Sequence, residues 1–186
     1  MPTDEKAAVV VPGPTLADFR AARERVAAVV DVTPMEKSRY LRELLGQDVY
    51  LKAESLQRTG SYKIRGAYNR LSQLTQEERA HGVVAASAGN HAQGVALAAR
   101  ELGIAATIFM PLGVALPKLQ ATRNYGAEVV LHGHVVDETL RAAAEFAERT
   151  GAILIPPFDH PDVVAGQGTL AFEILEQVPD VENIIV

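Results

Sequence analysis

The sequence has 186 residues, of which 48% are hydrophobic and 22% charged, the composition of an ordinary globular protein. The formal net charge of −5 and the lack of a long Lys and Arg run argue against binding to nucleic acid or to an anionic membrane. The chain has no cysteine, which excludes disulfides, thiolate metal sites and a thiol nucleophile. Asp4 and Glu5 stand where a secretory signal would be basic, so we expect a cytoplasmic location.

The first part of the chain contains the signals of two helices and one strand. Residues 1–14, rich in proline, predict a flexible leader, and Thr15 can then cap a helix that continues until shortly before Pro34. A second helix is predicted over Ser38–Leu45. The alternating pattern of Asp48–Ala53 predicts a strand, and a loop leads from it into a third helix.

From residue 82 onward, helical and β-prone stretches alternate. Each helical stretch ends at a glycine that directly precedes an apolar run. These glycines are Gly82, Gly103, Gly126 and Gly151. The apolar runs are Val83–Ala86, Ile104–Met110, Glu128–Leu131 and Ile153–Ile155. This repetition predicts an α/β fold with an open parallel sheet flanked by helices. Asn183–Val186 forms one more β-type run, so we expect the chain to stop in mid-strand.

Ligands of open α/β sheets bind beyond the carboxyl ends of the strands. Ser87–Asn90 is a small, polar turn between a buried strand and a helix. Its backbone N–H groups and the helix N-terminus predict an anion site suited to a carboxylate or a phosphate. On local signal alone, an equally good interpretation makes Asn90 a plain N-cap and Gly89 a turn residue. Neither the dinucleotide-binding nor the P-loop spacing of glycines is present.

Lys63 is a second candidate functional residue. Ile64 and Ala67 mark the buried face of the third helix, and Ser61 is a candidate cap, which places Lys63 in the first turn. The helix dipole and the like charge of Arg65 disfavour an ammonium there and favour the neutral amine that reacts with a carbonyl. By spacing alone, however, a surface lysine is the more common case.

Two further motifs leave alternatives open. His132-Gly133-His134, near Asp159 and His160, has a spacing conceivable for zinc or iron, but it lacks a carboxylate at a known spacing, so we expect solvated histidines and no metal. In Gly166-Gln167-Gly168 the glycines interrupt a helical pattern. This indicates close approach to the backbone, either by another helix or by a ligand.

Taken together, four motifs resemble threonine dehydratase, also called threonine ammonia-lyase, a pyridoxal-phosphate enzyme family of the tryptophan-synthase-β-like fold. The motifs are Ser61–Ala67, Ala86–Gly94, Pro156–Pro161 and Ala165–Thr169. Ile64 and His91 distinguish the chain from cysteine and threonine synthases, which typically have Asp and Thr there. Serine racemase is closer, but it usually has Ser in place of Ala88. Tyr62 replaces the usual Phe of the family, which we expect to alter ring packing only.

The resemblance implies that Lys63 forms the Schiff base with pyridoxal 5'-phosphate and later removes the substrate Cα proton, and that Asn90 hydrogen-bonds the phenolic oxygen of the cofactor. The residues that would hold the substrate carboxylate are Ser87, Ala88, Gly89, Asn90 and His91. The implied reaction is the deamination of L-threonine to 2-oxobutanoate and ammonia, through α-proton abstraction and β-elimination of the hydroxyl. Serine dehydratase, serine racemase and a non-catalytic α/β binding module remain alternatives.

The resemblance also predicts a domain organisation. It assigns residues 15–80 to the larger cofactor lobe, 81–160 to a small lobe with the carboxylate loop, and 161–186 to a return into the larger lobe. The cofactor-phosphate loop would follow Val186, and so would the contact to the pyridine nitrogen. We therefore expect an N-terminal part with weak cofactor binding and poor turnover, without the regulatory domain of members in isoleucine biosynthesis. The whole protein is expected to be a homo-oligomer.

Overall fold

The computed structural model describes residues 13–186, so the predicted leader at residues 1–14 falls almost entirely outside the described residues. The first helix, α1, spans Leu16–Val26 and begins with a reciprocal capping box between Thr15 and Asp18. It is shorter than the sequence predicts. After Val26 the backbone forms turns, in which Val29 N and Val30 N both donate to Val26 O, and the buried Gln57 amide then accepts from Asp31 N at 3.1 Å and donates to Asp31 O at 2.8 Å.

A short antiparallel hairpin-like pair follows α1. Strand β1, Met35–Lys37, pairs with β2, Tyr50–Lys52, and helix α2, Arg39–Leu45, connects them. The predicted helix over Ser38–Leu45 that ends at Gly46 is confirmed as α2, with Ser38 as its N-cap and Gly46 in the left-handed conformation. The structure shortens the predicted strand to β2 and adds β1, which the sequence analysis missed. A 3₁₀ turn, Glu54–Leu56, lies in the loop that leads to α3, Lys63–Ser72.

The central sheet has four parallel strands in the order β5-β4-β3-β6. The strands are β3, Val83–Ala86; β4, Ala106–Met110; β5, Glu128–Leu131; and β6, Ile153–Leu154. The helices are α4, Gln76–His81, before β3, and then α5, Asn90–Leu102; α6, Leu116–Asn124; and α7, Val136–Thr150. The predicted parallel α/β architecture is confirmed. Each predicted glycine follows a helix and has a positive φ.

Helices cover both faces of this sheet, because alternate residues of a strand point to opposite faces. On one face, Val83 and Ala85 join the main core, which α3 and α5 complete with buried residues such as Ile64 and Val95. On the other face, Val84 belongs to a smaller cluster under α7. No helix in the described part of the chain is both long and apolar enough to cross a membrane.

Two helices close the described chain, α8, Pro161–Gly168, and α9, Leu170–Gln177. Helix α8 packs on α1 and α3, and Arg23 of α1 pairs with Glu176 of α9 at 2.7 Å. The predicted strand at Asn183–Val186 does not form: it pairs with no strand among the described residues, and Ile185 is 98% exposed. A β-prone run needs a neighbouring strand to satisfy its backbone groups, and none lies beside it here.

Candidate active site

The parallel order of the sheet brings the loops after its strands to one edge, as the sequence predicts. Backbone hydrogen bonds join neighbouring loops. Ser87 N donates to Phe109 O at 3.0 Å, and Leu112 N donates to Gly133 O at 2.9 Å. Ile155 N donates to Val84 O at 2.9 Å. The segments that follow β3, β4, β5 and β6 therefore form one connected rim.

The loop after β3 presents unpaired backbone donors. Gly89, and not Asn90, is the N-cap of α5, and no side chain caps this helix. Gly89 N donates to Ser87 Oγ at 3.1 Å. The N–H groups of Ala88, Asn90 and His91 have no acceptor among residues 13–186. Free N–H groups at the positive end of a helix are a physical basis for binding an anion.

The His91 side chain has a different role from its backbone. The imidazole is buried, and its Nε2 lies 3.0 Å from Ile155 O. Burial, and to a smaller degree the charge of Lys63, lowers the pKa of His91 to about 4, against the opposing effect of the Ile155 hydrogen bond. The ring is therefore neutral at pH 7, and Nε2–H donates to the carbonyl. This bond ties the loop after β3 to the end of β6.

Lys63 is the first residue of α3 and is half-buried. Its Nζ donates to Pro157 O at 2.8 Å and lies 5.2 Å from the centre of the Tyr62 ring. Within residues 13–186, no carboxylate oxygen comes within ion-pair distance of this amine. Contrary to the sequence-based expectation, Ser61 does not cap α3: the cap position is Tyr62, and Ser61 Oγ is buried without a hydrogen-bond partner among residues 13–186. The Lys63 amine is thus held by a neutral carbonyl and an aromatic face.

Arg65 does not act as an uncompensated charge beside Lys63, contrary to the sequence-based expectation. Its guanidinium is fully buried and forms two hydrogen bonds with Glu54, at 2.8 and 2.9 Å, and one with Glu173, at 2.7 Å. Lys52 also binds Glu173, at 2.6 Å. Two buried cations and two carboxylates form a neutral network that anchors α3 to β2 and α9.

Lys63 and Asn90 lie on helices that pack tightly against each other. A Cβ atom placed on Gly94 of α5 would lie 3.0 Å from the carbonyl carbon of Lys63, so the two backbones approach as closely as a glycine allows. Asn90 precedes Gly94 by one helical turn and therefore shares its face. Asn90 is exposed, and its side chain has no hydrogen-bond partner among the described residues. The amine, the amide and the free N–H groups are thus carried by two helices in contact, and the region that they border is called the cleft below.

The two glycines of the Gly166-Gln167-Gly168 motif serve helix packing. A Cβ on Gly166 would lie 2.6 Å from Arg65 O, and one on Gly168 would overlap the Phe19 ring, so helix packing accounts for both glycines. At the histidine pair, Glu138 accepts a hydrogen bond from His134 N at 2.7 Å. No group of three or more potential metal-ligating side chains occurs within residues 13–186. The carbonyl partners of Lys63 and His91 could not be predicted from sequence, because every residue type carries a backbone carbonyl.

A parallel sheet with flanking helices and a loop of free N–H groups at its edge is consistent with the tryptophan-synthase-β-like fold. The model of the pyridoxal-phosphate dependent enzyme family matches residues 26–186, and the chain belongs to this family. The chain is 53% identical over 172 residues to the L-threonine ammonia-lyase of Thermotoga maritima. This alignment covers 92% of the chain and 43% of the relative.

Solved structures of related enzymes have the same fold over most of this chain. Maize serine racemase superimposes with a TM-score of 0.87 at 35% identity, over 91% of this chain and 51% of that one. Threonine deaminase isoform 2 from Solanum lycopersicum superimposes with a TM-score of 0.81 at 42% identity, over 91% of this chain and 48% of that one. The chain therefore spans about half the length of these relatives.

Proposed function

We propose that this chain carries the catalytic lysine and the carboxylate-binding loop of an L-threonine ammonia-lyase, which converts L-threonine to 2-oxobutanoate and ammonia. The observation that carries the proposal is the Lys63 amine, which has no carboxylate partner among residues 13–186 and belongs to a helix packed against α5, whose first residues offer free N–H groups. The family match and the identity to the Thermotoga maritima L-threonine ammonia-lyase support it.

The side chains of this cleft fit pyridoxal phosphate. An amine that reacts with an aldehyde must be able to lose its proton, and a tight ion pair would prevent this. Lys63 donates to the carbonyl of Pro157, which is a neutral acceptor. The Asn90 amide, which has no partner within the described chain, is free to donate to the phenolic oxygen of the cofactor. When bound, the cofactor supplies an electron sink for negative charge at the substrate Cα.

The residues of the chain then have separate tasks. The N–H groups of Ala88, Asn90 and His91, with Ser87 and Gly89 shaping the turn, hold the substrate carboxylate and so fix the orientation of Cα. Lys63 would hold the cofactor through its Nζ and, once the amino group of the substrate has replaced it there, would take the Cα proton as a free amine. The neutral His91 ring keeps the loop in place without adding a second positive charge to the cleft.

A serine racemase or serine dehydratase is the second candidate, because the superposition on maize serine racemase has a TM-score of 0.87. Both candidates use the same lysine and the same carboxylate loop, so these residues do not separate them. Assays of 2-oxobutanoate from L-threonine, and of pyruvate and D-serine from L-serine, separate them directly. We expect kcat/KM to be higher for L-threonine, and a preference for L-serine would favour the second candidate.

The proposal also includes a cytoplasmic location and a homo-oligomeric whole protein, as the family resemblance implies.

Reduction with borohydride tests the role of Lys63 in the full protein that contains this chain. After incubation with pyridoxal phosphate and reduction, we expect peptide mapping to find the pyridoxyl group on Lys63 and no ammonia-lyase activity in K63A. Lys37 provides the matched control, since this lysine forms an ion pair with Asp48 away from the cleft. K37A should retain both labelling and activity. Strong labelling of another lysine, with Lys63 unmodified, would reject the proposed role.

A further inference from the structure

Lys118 lies along the candidate carboxylate loop but belongs to a different element. It is in the first turn of α6 and is exposed. A Cβ atom placed on Gly89 would lie 3.2 Å from Lys118 Nζ and 4.0 Å from both Cδ and Cε. The end of the Lys118 side chain therefore rests on Gly89, the residue that caps α5.

This position is electrostatically unfavourable within the chain itself. Lys118 lies in the first turn of its own helix, and its amine also meets the N-terminus of α5, so it faces the positive ends of two helix dipoles. None of the ion pairs among residues 13–186 includes Lys118, so no carboxylate of the described chain offsets this cost. A bound anion between the amine and the free N–H groups of the loop would offset it.

We propose that Lys118 is the charged contact of the substrate α-carboxylate and makes the site selective for amino acids with a free carboxylate. This inference rests on the proposed function, in which the loop of residues 87–91 binds that group. The ammonium complements the N–H donors of Asn90 and His91, since hydrogen bonds to a charged group are the stronger ones. Because Lys118 is exposed and sits beside the loop, it acts on binding and leaves the transfer of the Cα proton to Lys63.

Calorimetric titration of the full, cofactor-loaded protein with 2-aminoisobutyrate tests the proposal, because this amino acid has no Cα hydrogen and cannot be deaminated. The dissociation constant should rise about fivefold to tenfold in K118M and stay within about twofold of wild type in K118R, the range expected for one charged contact. The uncharged amide of the same compound should bind K118M and wild type equally. With L-threonine, KM should rise by the same factor at a nearly constant kcat.

Arg123 supplies the control, because it is an exposed cation near the other end of α6. R123M removes the same charge and should bind 2-aminoisobutyrate like wild type. Equal affinities in K118M and wild type, with wild type still preferring the acid to the amide, would overturn the role of Lys118 and leave the proposed function intact. Weaker binding of pyridoxal phosphate alone would assign Lys118 to the cofactor phosphate and also overturn it. A wild type that neither binds the acid nor deaminates L-threonine would overturn both proposals.

Discussion

Arg65 and Glu173 form a buried ion pair, 2.7 Å between Nη1 and Oε1, that joins the helix carrying Lys63 to α9. Burial raises the pKa of the Glu173 carboxyl, but the hydrogen bonds from Arg65 and Lys52 outweigh it and hold that pKa below its ordinary value. Glu173 is therefore ionised at neutral pH. The start of α3, and with it the Lys63 backbone, is fixed through charges that lie outside the cleft.

Loss of Glu173 should destabilise the protein strongly. E173Q leaves buried Arg65 and Lys52 with one carboxylate fewer, and removing one partner of such a network costs about 3 to 5 kcal/mol in the free energy of unfolding. Urea unfolding monitored by circular dichroism measures this. As a control, E43Q breaks the exposed pair of Glu43 and Arg39 and should change the free energy by less than about 0.5 kcal/mol. Equal effects of the two variants would contradict a structural role of the buried network.

Stability should fall as the pH drops below about 6.5, the ordinary pKa of histidine. The buried His91 has a pKa of about 4 in the folded protein, so the unfolded chain binds its proton first. Its contribution is complete above pH 6.5 and is lost progressively toward pH 4. Between pH 7 and pH 5 the loss is about 2 kcal/mol, at 1.36 kcal/mol per pH unit.

Comparison with H91Q isolates this contribution, because the variant keeps a hydrogen-bonding side chain but has no group that titrates in this range. Its free energy of unfolding should depend less on pH between 7 and 5 than that of wild type. His132 is exposed, and H132Q should retain the wild-type pH dependence. Parallel profiles for wild type and H91Q would show that His91 is not the responsible group.

A methyl group at Gly94 should disturb the contact between α3 and α5. The added Cβ would lie 3.0 Å from the Lys63 carbonyl carbon and 3.2 Å from Ile64 N, and backbone atoms cannot yield as a flexible side chain can. We expect G94A to lower the free energy of unfolding by about 1 to 3 kcal/mol. In G113A the new methyl group meets no atom within 4 Å, and this control should unfold like wild type. Thermal unfolding of both variants provides the measurement.

The aromatic ring at Tyr62 should matter more than its hydroxyl. The Lys63 amine lies 5.2 Å from the centre of this ring, a distance at which a cation and an aromatic face attract each other. Y62F keeps the ring that the family usually has and should match wild type in stability. Y62L should lose about 0.5 to 1 kcal/mol of the free energy of unfolding. A larger loss in Y62F than in Y62L would show that the hydroxyl carries the interaction.

The β-α repetition could be predicted from sequence because its signals are local. Each glycine that ends a helix stands directly before an apolar run, as at Gly82 and Val83. The loop after β3 was predicted for the same reason. The network around Arg65 could not be predicted, since Glu54 is 11 residues away in sequence and Glu173 is 108 away. Nothing in the chain around Arg65 indicates that its charge is compensated from such distant positions.

The predicted strand at Asn183–Val186 was wrong for a related reason. Its β-prone side chains describe a local preference, while a strand depends on a neighbour that the sequence does not specify. The cap of α3 was wrong because Ser61 is one position too early, and the structure uses Tyr62. In contrast, the interpretation of Asn90 as a plain N-cap fails on geometry, which leaves its side chain free for the role that the family resemblance implies.

The short segment after β6 accepts hydrogen bonds from both sides of the cleft. Ile155 O accepts a hydrogen bond from the His91 ring, and Pro157 O accepts one from the Lys63 amine. Pro156 and Pro157 restrict the backbone here, because a proline ring fixes φ near −65°. Residues 155–157 thus set the spacing between the Lys63 amine and the start of α5, which carries His91. A change in this segment would shift one group relative to the other, because its backbone carbonyls hold both by hydrogen bonds.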